Sequence, residues 1–280
     1  MTELSVFAGV VVLVLMNVPI AVSIGIAAVA AILASQGTSG LPNVAITMYQ
    51  GATSFPLIAI PLFILAGAIM NTSGISRRLI DFASALLGSI RGALAQVNVL
   101  TSMFFAEISG SAVADVAATG SIMIPAMKKR GYPAPFSAAV TSSSASLAII
   151  IPPSIPMILY AVMAGTSVVQ LFVAGIVPGL LAGFGMMALS YVYAVRYNWP
   201  VEELFELRKL GRAFRDAFWA LMMPVIILGG IFGGVVTATE GAALAVVAAI
   251  VIGALIYREL NWAHLRDAII EGGVQTGSVM

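Results

Sequence analysis

Residues 92–127 read GALAQVNVLTSMFFAEISGSAVADVAATGSIMIPAM, and at their centre stands Ile108-Ser109-Gly110-Ser111-Ala112-Val113-Ala114-Asp115. Arg91 precedes this stretch, and Lys128, Lys129 and Arg130 follow it. Cationic flanks mark the cytoplasmic ends of membrane segments, so both ends belong on one side. Fully helical, the 36 residues would reach roughly 54 Å, well beyond a hydrocarbon layer of about 30 Å. A fold at the small, polar, glycine-containing centre satisfies both constraints, giving two short helices that enter and return. Irregular backbone at membrane depth is tolerated only where protein or a water-filled cavity surrounds it. A re-entrant hairpin here therefore implies a site.

The whole chain supports a membrane setting. Of 280 residues, 60% are hydrophobic and 9% charged, against about 25% charged in ordinary soluble domains. The mean hydropathy is +1.06. So little polar surface excludes a soluble enzyme, a disordered chain and a nucleic-acid binder, and a net charge of +1 supplies no field for a phosphate backbone. Without cysteine there is no disulfide, thiolate zinc site or Cys nucleophile, and the single histidine, His264, makes no metal cluster or relay. Lipid-facing backbone must satisfy its own hydrogen bonds. The apolar stretches lack the alternation of a membrane barrel. The fold class is an all-α polytopic membrane protein.

Arg and Lys fall into four clusters: Arg77 to Arg91, Lys128 to Arg130, Arg196 to Arg215, and Arg258 with Arg266. All four should face the cytoplasm. The path that follows crosses inward at 56–72 and runs as a basic surface segment at 76–91. The hairpin comes next, then an outward crossing at 134–164 and an inward one at 170–195. A charged segment at 196–216 lies at the interface. Crossings at 217–236 and 240–257 return the chain to the cytoplasm. Asn17-Val18-Pro19 is either a turn between two short spans or a kink in one long one, and two spans are favoured because Pro suits the first turn of a new helix. The organisation is then 1–91 as N-terminal spans with a cytoplasmic arm and 92–165 as hairpin plus broken helix. Residues 166–257 form further spans, and 258–280 start another unit.

The outward crossing carries the second break. Thr141-Ser142-Ser143-Ser144-Ala145-Ser146 leads into Leu147-Ala148-Ile149-Ile150-Ile151-Pro152-Pro153-Ser154-Ile155-Pro156. Pro153 lacks an N–H and clashes one turn back, and it pushes Pro152 out of the helical region. The helix should open near Ala148 to Pro152 and restart at Pro153. Opened carbonyls and hydroxyls suit a hard cation such as sodium, while half-helix N-termini favour an anion. Ser109, Ser111 and Ser142 to Ser146 are candidate donors, which suggests coupled transport of an anion with a cation.

Each feature also has a plainer reading. Serine runs and small residues, such as Gly67, Gly88, Gly110, Gly120 and Gly175, let helices pack closely. Asp115 and Glu107 are intramembrane carboxylates, costly and usually functional, but Asp115 equally suits an N-terminal cap of the second hairpin helix. Glu240, after Thr237-Ala238-Thr239, reads as a helix start.

The residues that carry a family resemblance are Ser54 to Ile75, Met103-Phe104-Phe105 with Ser109 to Asp115, and Ile124 to Lys129. Ile150 to Met157, Ala174 to Gly179 and Thr237 to Ala242 add to it. Across essentially the whole chain the sequence resembles the large membrane subunit of TRAP transporters. The resemblance implies a sodium-coupled secondary carrier for an organic acid, such as a C4-dicarboxylate, in the inner membrane of bacteria or archaea. It implies an elevator-type fold, with Na+ as coupling ion and no other cofactor. It also implies a small membrane subunit and a periplasmic substrate-binding protein as partners, and lipid around them. Carried over by residue, Ser109, Gly110 and Ser111 form the hairpin tip, with Asp115 behind it. Ser144, Ala148, Ile151 and Pro152 line the opposing break. Ala148-Ile149 stands where the family tends to have Gly-Pro, and Glu107 where a small residue is expected. The family continues into a second inverted repeat with another Pro-Pro break, so this chain resembles the first repeat plus the start of the second, a C-terminally truncated copy. The alternative is a stand-alone sodium/dicarboxylate carrier of the same type. An intramembrane hydrolase on Ser111 or Asp115 would lack a positioned base.

Overall fold

The computed structural model describes residues 3–110, 112–199, 201 and 206–280. Its secondary structure is helical throughout the described residues. Two compact units divide the chain, residues 1–54 and 55–280.

In the first unit, α1 (Glu3–Leu15) and α2 (Ile20–Gln36) are separated at Asn17, whose φ is 66°. Asparagine tolerates this left-handed conformation because its short polar side chain bonds locally. Pro19 caps α2 from outside its first turn, so Asn17-Val18-Pro19 is a turn between two helices. A 3-10 turn at Gly37–Gly40 leads into α3 (Leu41–Ala52).

The second unit begins with a 3-10 turn, Phe55–Ile58, that feeds α4 (Ala59–Thr72). Gly74, at φ 73°, turns the chain into α5 (Ile75–Leu87), the amphipathic basic arm. The hairpin follows as α6 (Ala93–Ser109) and α7 (Ala112–Lys129), then the broken crossing as α8 (Ala134–Ala145) and α9 (Ile155–Ala164). Four further helices complete it: α10 (Val168–Arg196), α11 (Leu207–Phe232), α12 (Ala238–Val251) and α13 (Trp262–Val279).

The core is organised around α4, whose Ile60, Phe63, Ile69 and Met70 are all buried. Against it α12 presents a buried stripe of small residues, Ala238, Ala242, Ala245 and Ala249. Such stripes let backbones approach closely where lipid removes the hydrophobic drive between helices. On another side Gly272 of α13 sits on Leu65.

The basic ends gather at one pole. The carboxylate of Glu259 accepts from Arg77 at 3.0 Å and from Arg78 at 2.7 Å. Arg91 reaches Asn198 at 3.4 Å, and the Tyr132 and Trp199 rings lie 4.6 Å apart. At the other pole the Phe55 carbonyl accepts from the Thr239 hydroxyl at 3.5 Å. There Thr237 and Glu240 close a reciprocal capping box, as Glu240 was expected to do.

Five helical stretches among the described residues are long and apolar enough to cross a membrane: 20–52, 55–72, 168–196, 207–232 and 238–256. The hairpin and the α8–α9 crossing are not among them, because each is interrupted. This is a multi-pass membrane protein.

Two expectations are corrected. The charged segment 196–216 is not one separate surface element. Its part from Leu207 onward is the beginning of α11 and continues into the span without a break, since charged side chains at the wet end of a helix cost it nothing. The second half of the broken crossing restarts at Ile155 rather than Pro153. Ser154 is extended, at φ −128° and ψ 126°, and serves as the N-cap.

Candidate functional site

The hairpin turns at Gly110, which has φ 56° and ψ 11°. This left-handed conformation costs other residues about 1–2 kcal/mol. Gly110 is also buried, and a Cβ there would lie 3.1 Å from both the Pro153 carbonyl oxygen and the Ile155 nitrogen. The tip is therefore pressed against the break in the outward crossing. About 18 Å of α8 separates that break from the basic pole at helical rise, so the contact falls near the middle of the crossing.

The break itself unfolds in stages. Ala145 ends α8, a 3-10 turn spans Ser146–Ile149, and irregular backbone runs to Ser154. Leu147 offers its carbonyl to both Ile150 and Ile151 N–H, at 2.9 and 2.8 Å. The Ser154 hydroxyl donates to the Ile149 carbonyl at 2.7 Å. The carbonyls of Ile151, Pro152 and Pro153 accept no backbone hydrogen bond among the described residues. Among the described residues these oxygens lack the backbone partner that a continuous helix would give them, as expected of an opened helix. Ala148 and Ile151 are buried at this point, and the Pro152–Pro153 bond is cis.

Two glycines of α10 hold the break from behind, and a third packs on α6. Gly175 abuts the Ile150 carbonyl and Gly179 abuts Ile151. One turn on, a Cβ at Gly183 would meet the Met103 sulfur at 2.6 Å. The sequence reading singled out Gly175 and missed Gly179 and Gly183. Their spacing of four was the available signal.

The helices flanking the tip meet through polar contacts. The Asn98 side-chain amide donates to Thr141 at 2.6 Å, and the Ser102 and Ser144 hydroxyls lie 3.0 Å apart. Gln96 donates to the Met187 carbonyl at 2.8 Å. These four contact residues of α6 and α8, with Gln96, are buried. Ser144 thus joins α8 to α6, while the exposed Ser142 bonds back to Ala138. Asn98 and Ser102 were not anticipated, although polar residues four apart in an apolar helix are visible in the sequence.

Asp115 lies in the first turn of α7 and is 1% exposed. Neither carboxylate oxygen has a hydrogen-bond partner among the described residues. Of the two readings open for it, the N-terminal cap is not seen, since neither oxygen takes a helix N–H among the described residues. Its backbone carbonyl instead accepts from Thr119 at 2.6 Å. Ser111 lies outside the described residues, as do the side chains of Ser109 and Glu107. Of the sequence-derived candidates, Gly110, Ala148, Ile151 and Pro152 belong to one contact region. Ser144 joins it through the α6–α8 interface.

Residues 7–280 match the family described as tripartite ATP-independent periplasmic transporter, DctM component. The chain is 44% identical to the isethionate TRAP transporter permease protein DctMQ of Oleidesulfovibrio alaskensis, over 94% of this chain and 42% of that protein. It is 43% identical to the C4-dicarboxylate TRAP transporter large permease protein DctM of Pseudomonas aeruginosa, over 85% of this chain and 56% of the relative. Identity to the sialic acid TRAP transporter permease protein SiaT of Haemophilus influenzae is 39%, over 81% of this chain and 37% of the relative. The chain thus spans roughly half the length of these relatives, and each is named as a transporter permease rather than an enzyme. With a family match over nearly all its residues, the chain belongs to the DctM component family of tripartite ATP-independent periplasmic transporters.

Proposed function

We propose that this chain supplies one half-site of a sodium-coupled permease that takes up an organic acid across the bacterial or archaeal inner membrane. The observation that carries the proposal is the hairpin tip at Gly110 seated on the Pro152–Pro153 break, where three consecutive carbonyls have no backbone donor among the described residues. Sodium is a hard cation that takes oxygen ligands, and opened helix carbonyls of this kind hold coupling ions in broken-helix carriers. Ser109 and Ser111, by position at the tip, supply the remaining oxygens. The hairpin dips into the membrane from the cytoplasmic side. Hairpin and broken helix then move as one body against the longer spans, in an elevator-type cycle. Isethionate, C4-dicarboxylate and sialic acid, after which relatives are named, are all organic acids, which supports an anionic cargo. A small membrane subunit and a periplasmic binding protein complete the system, and the binding protein does most of the selecting.

The test is uptake by the full-length protein with both partners in proteoliposomes. An inward sodium gradient should drive accumulation, and replacing sodium with choline should abolish it. Ser109→Ala combined with Ser111→Ala should weaken sodium dependence. Uptake indifferent to sodium would overturn the proposal.

A further inference from the structure

A second feature lies away from the hairpin. At the basic pole a cleft of about 1020 Å³ opens between α5 and α11. Arg77 and Arg78 contribute from α5, and Lys209, Arg212 and Arg215 from α11. Two carboxylates, Asp81 and Asp216, share the wall. Glu259 engages Arg77 and Arg78 and offsets one more charge, so the four arginines of the cleft keep a cationic surplus of one over Asp81, Asp216 and Glu259. Among the described residues no ion pair engages Arg212 or Arg215. The two are three residues apart, so they share a helix face, and one turn further Trp219 lines the same cleft. Tyr257 closes the other side, its ring 3.8 Å beneath the Arg78 guanidinium and its hydroxyl donating to the Asp216 carbonyl at 2.9 Å.

This sequence of groups along α11, cations first and then an indole at the start of the apolar span, matches the order of a lipid from headgroup to acyl chain. Basic pockets between membrane helices on the cytoplasmic side select anionic headgroups, and aromatics settle at the interface. A soluble anion would need the guanidinium groups but would have no use for the tryptophan or for the position beside a span. We propose that this cleft seats the phosphate of an anionic membrane lipid, held by Arg212 and Arg215, with Trp219 against the lipid's glycerol region. The proposal rests on membrane insertion of α11 and not on the transport reading, so either can fail without the other.

Native mass spectrometry of the full-length protein, released from detergent with equal amounts of phosphatidylglycerol and phosphatidylcholine, reads the site directly. The wild type should retain phosphatidylglycerol preferentially. Arg212→Gln with Arg215→Gln should lower that retention, by about fivefold for each charge removed. The Arg212→Lys, Arg215→Lys pair should keep most of it, and Arg266→Gln, which does not line the cleft, should change nothing. Circular dichroism confirms that the neutral pair is folded, and the single Arg215→Gln variant replaces it if it is not. Equal retention of the two lipids, or equal retention by wild type and neutral variant, would overturn the proposal. Loss of the phosphatidylglycerol adduct to millimolar inorganic phosphate would overturn the lipid as its source. Unchanged lipid binding with loss of small-subunit co-purification in the neutral variant would make the cleft a protein interface instead.

Discussion

Gly110 combines two constraints that only glycine meets, a left-handed backbone and a 3.1 Å approach to the far side of the break. An added methyl group must distort either the turn or the contact, at a cost of about 1–2 kcal/mol for the conformation alone. Gly110→Ala should therefore reduce uptake by roughly tenfold while leaving membrane insertion intact, as read by proteoliposome flux beside surface expression. Gly185→Ala, with nothing within 4 Å of the added carbon, should transport normally. Equal flux in both variants would show that the tip does not need its tight seat. The importance of position 110 is legible in the sequence because small polar residues interrupt an apolar run there. Its contact partner is not, since Pro153 and Ile155 are more than forty residues away.

Among the elements, the broken crossing depends on its neighbour. The Pro-Pro pair dictates that α8 and α9 cannot be one helix, but α10 decides how the opened segment lies. Gly179 leaves room for Ile151, where a Cβ would come within 2.6 Å of the isoleucine side chain. Gly179→Leu should overpack this interface and destabilise the protein by about 1–3 kcal/mol, seen as earlier thermal unfolding in detergent. Gly211→Ala, in open space on α11, serves as the comparison and should not unfold earlier. The serine run illustrates how element-level chemistry escapes sequence reading. Its composition permits ion ligation and helix packing alike, and the structure places Ser144 against Ser102. Which face of α8 meets α6 is a matter of helix phase, set by packing and not by the residues of α8 alone.

For the molecule as a whole, charge placement and contacts agree. Contacts such as Arg78 with Glu259 and Arg91 with Asn198 bring the basic clusters to one pole, which the positive-inside rule predicts to be cytoplasmic. The chain has no cysteine, so single-cysteine variants report topology without background. Lys128→Cys and Arg266→Cys should react with an impermeant maleimide only from the cytoplasmic side, and Ser167→Cys and Val235→Cys only from the outside. Labelling of Val235→Cys and Arg266→Cys from one side would contradict the path of α11 to α13.

The sequence by itself determined that the chain lives in a membrane, that its basic ends share a side, and that two segments abandon helical geometry. These follow from hydropathy, from the cost of burying charge, and from the covalent limits of proline and glycine, all of which act locally. Only the tertiary structure decided that the two interruptions meet, that α10 supports them with a glycine stripe, and that the charged run after Arg196 merges from Leu207 into a span. Those outcomes depend on helix phase and on approach between residues distant in the chain, which close packing selects and local composition does not encode.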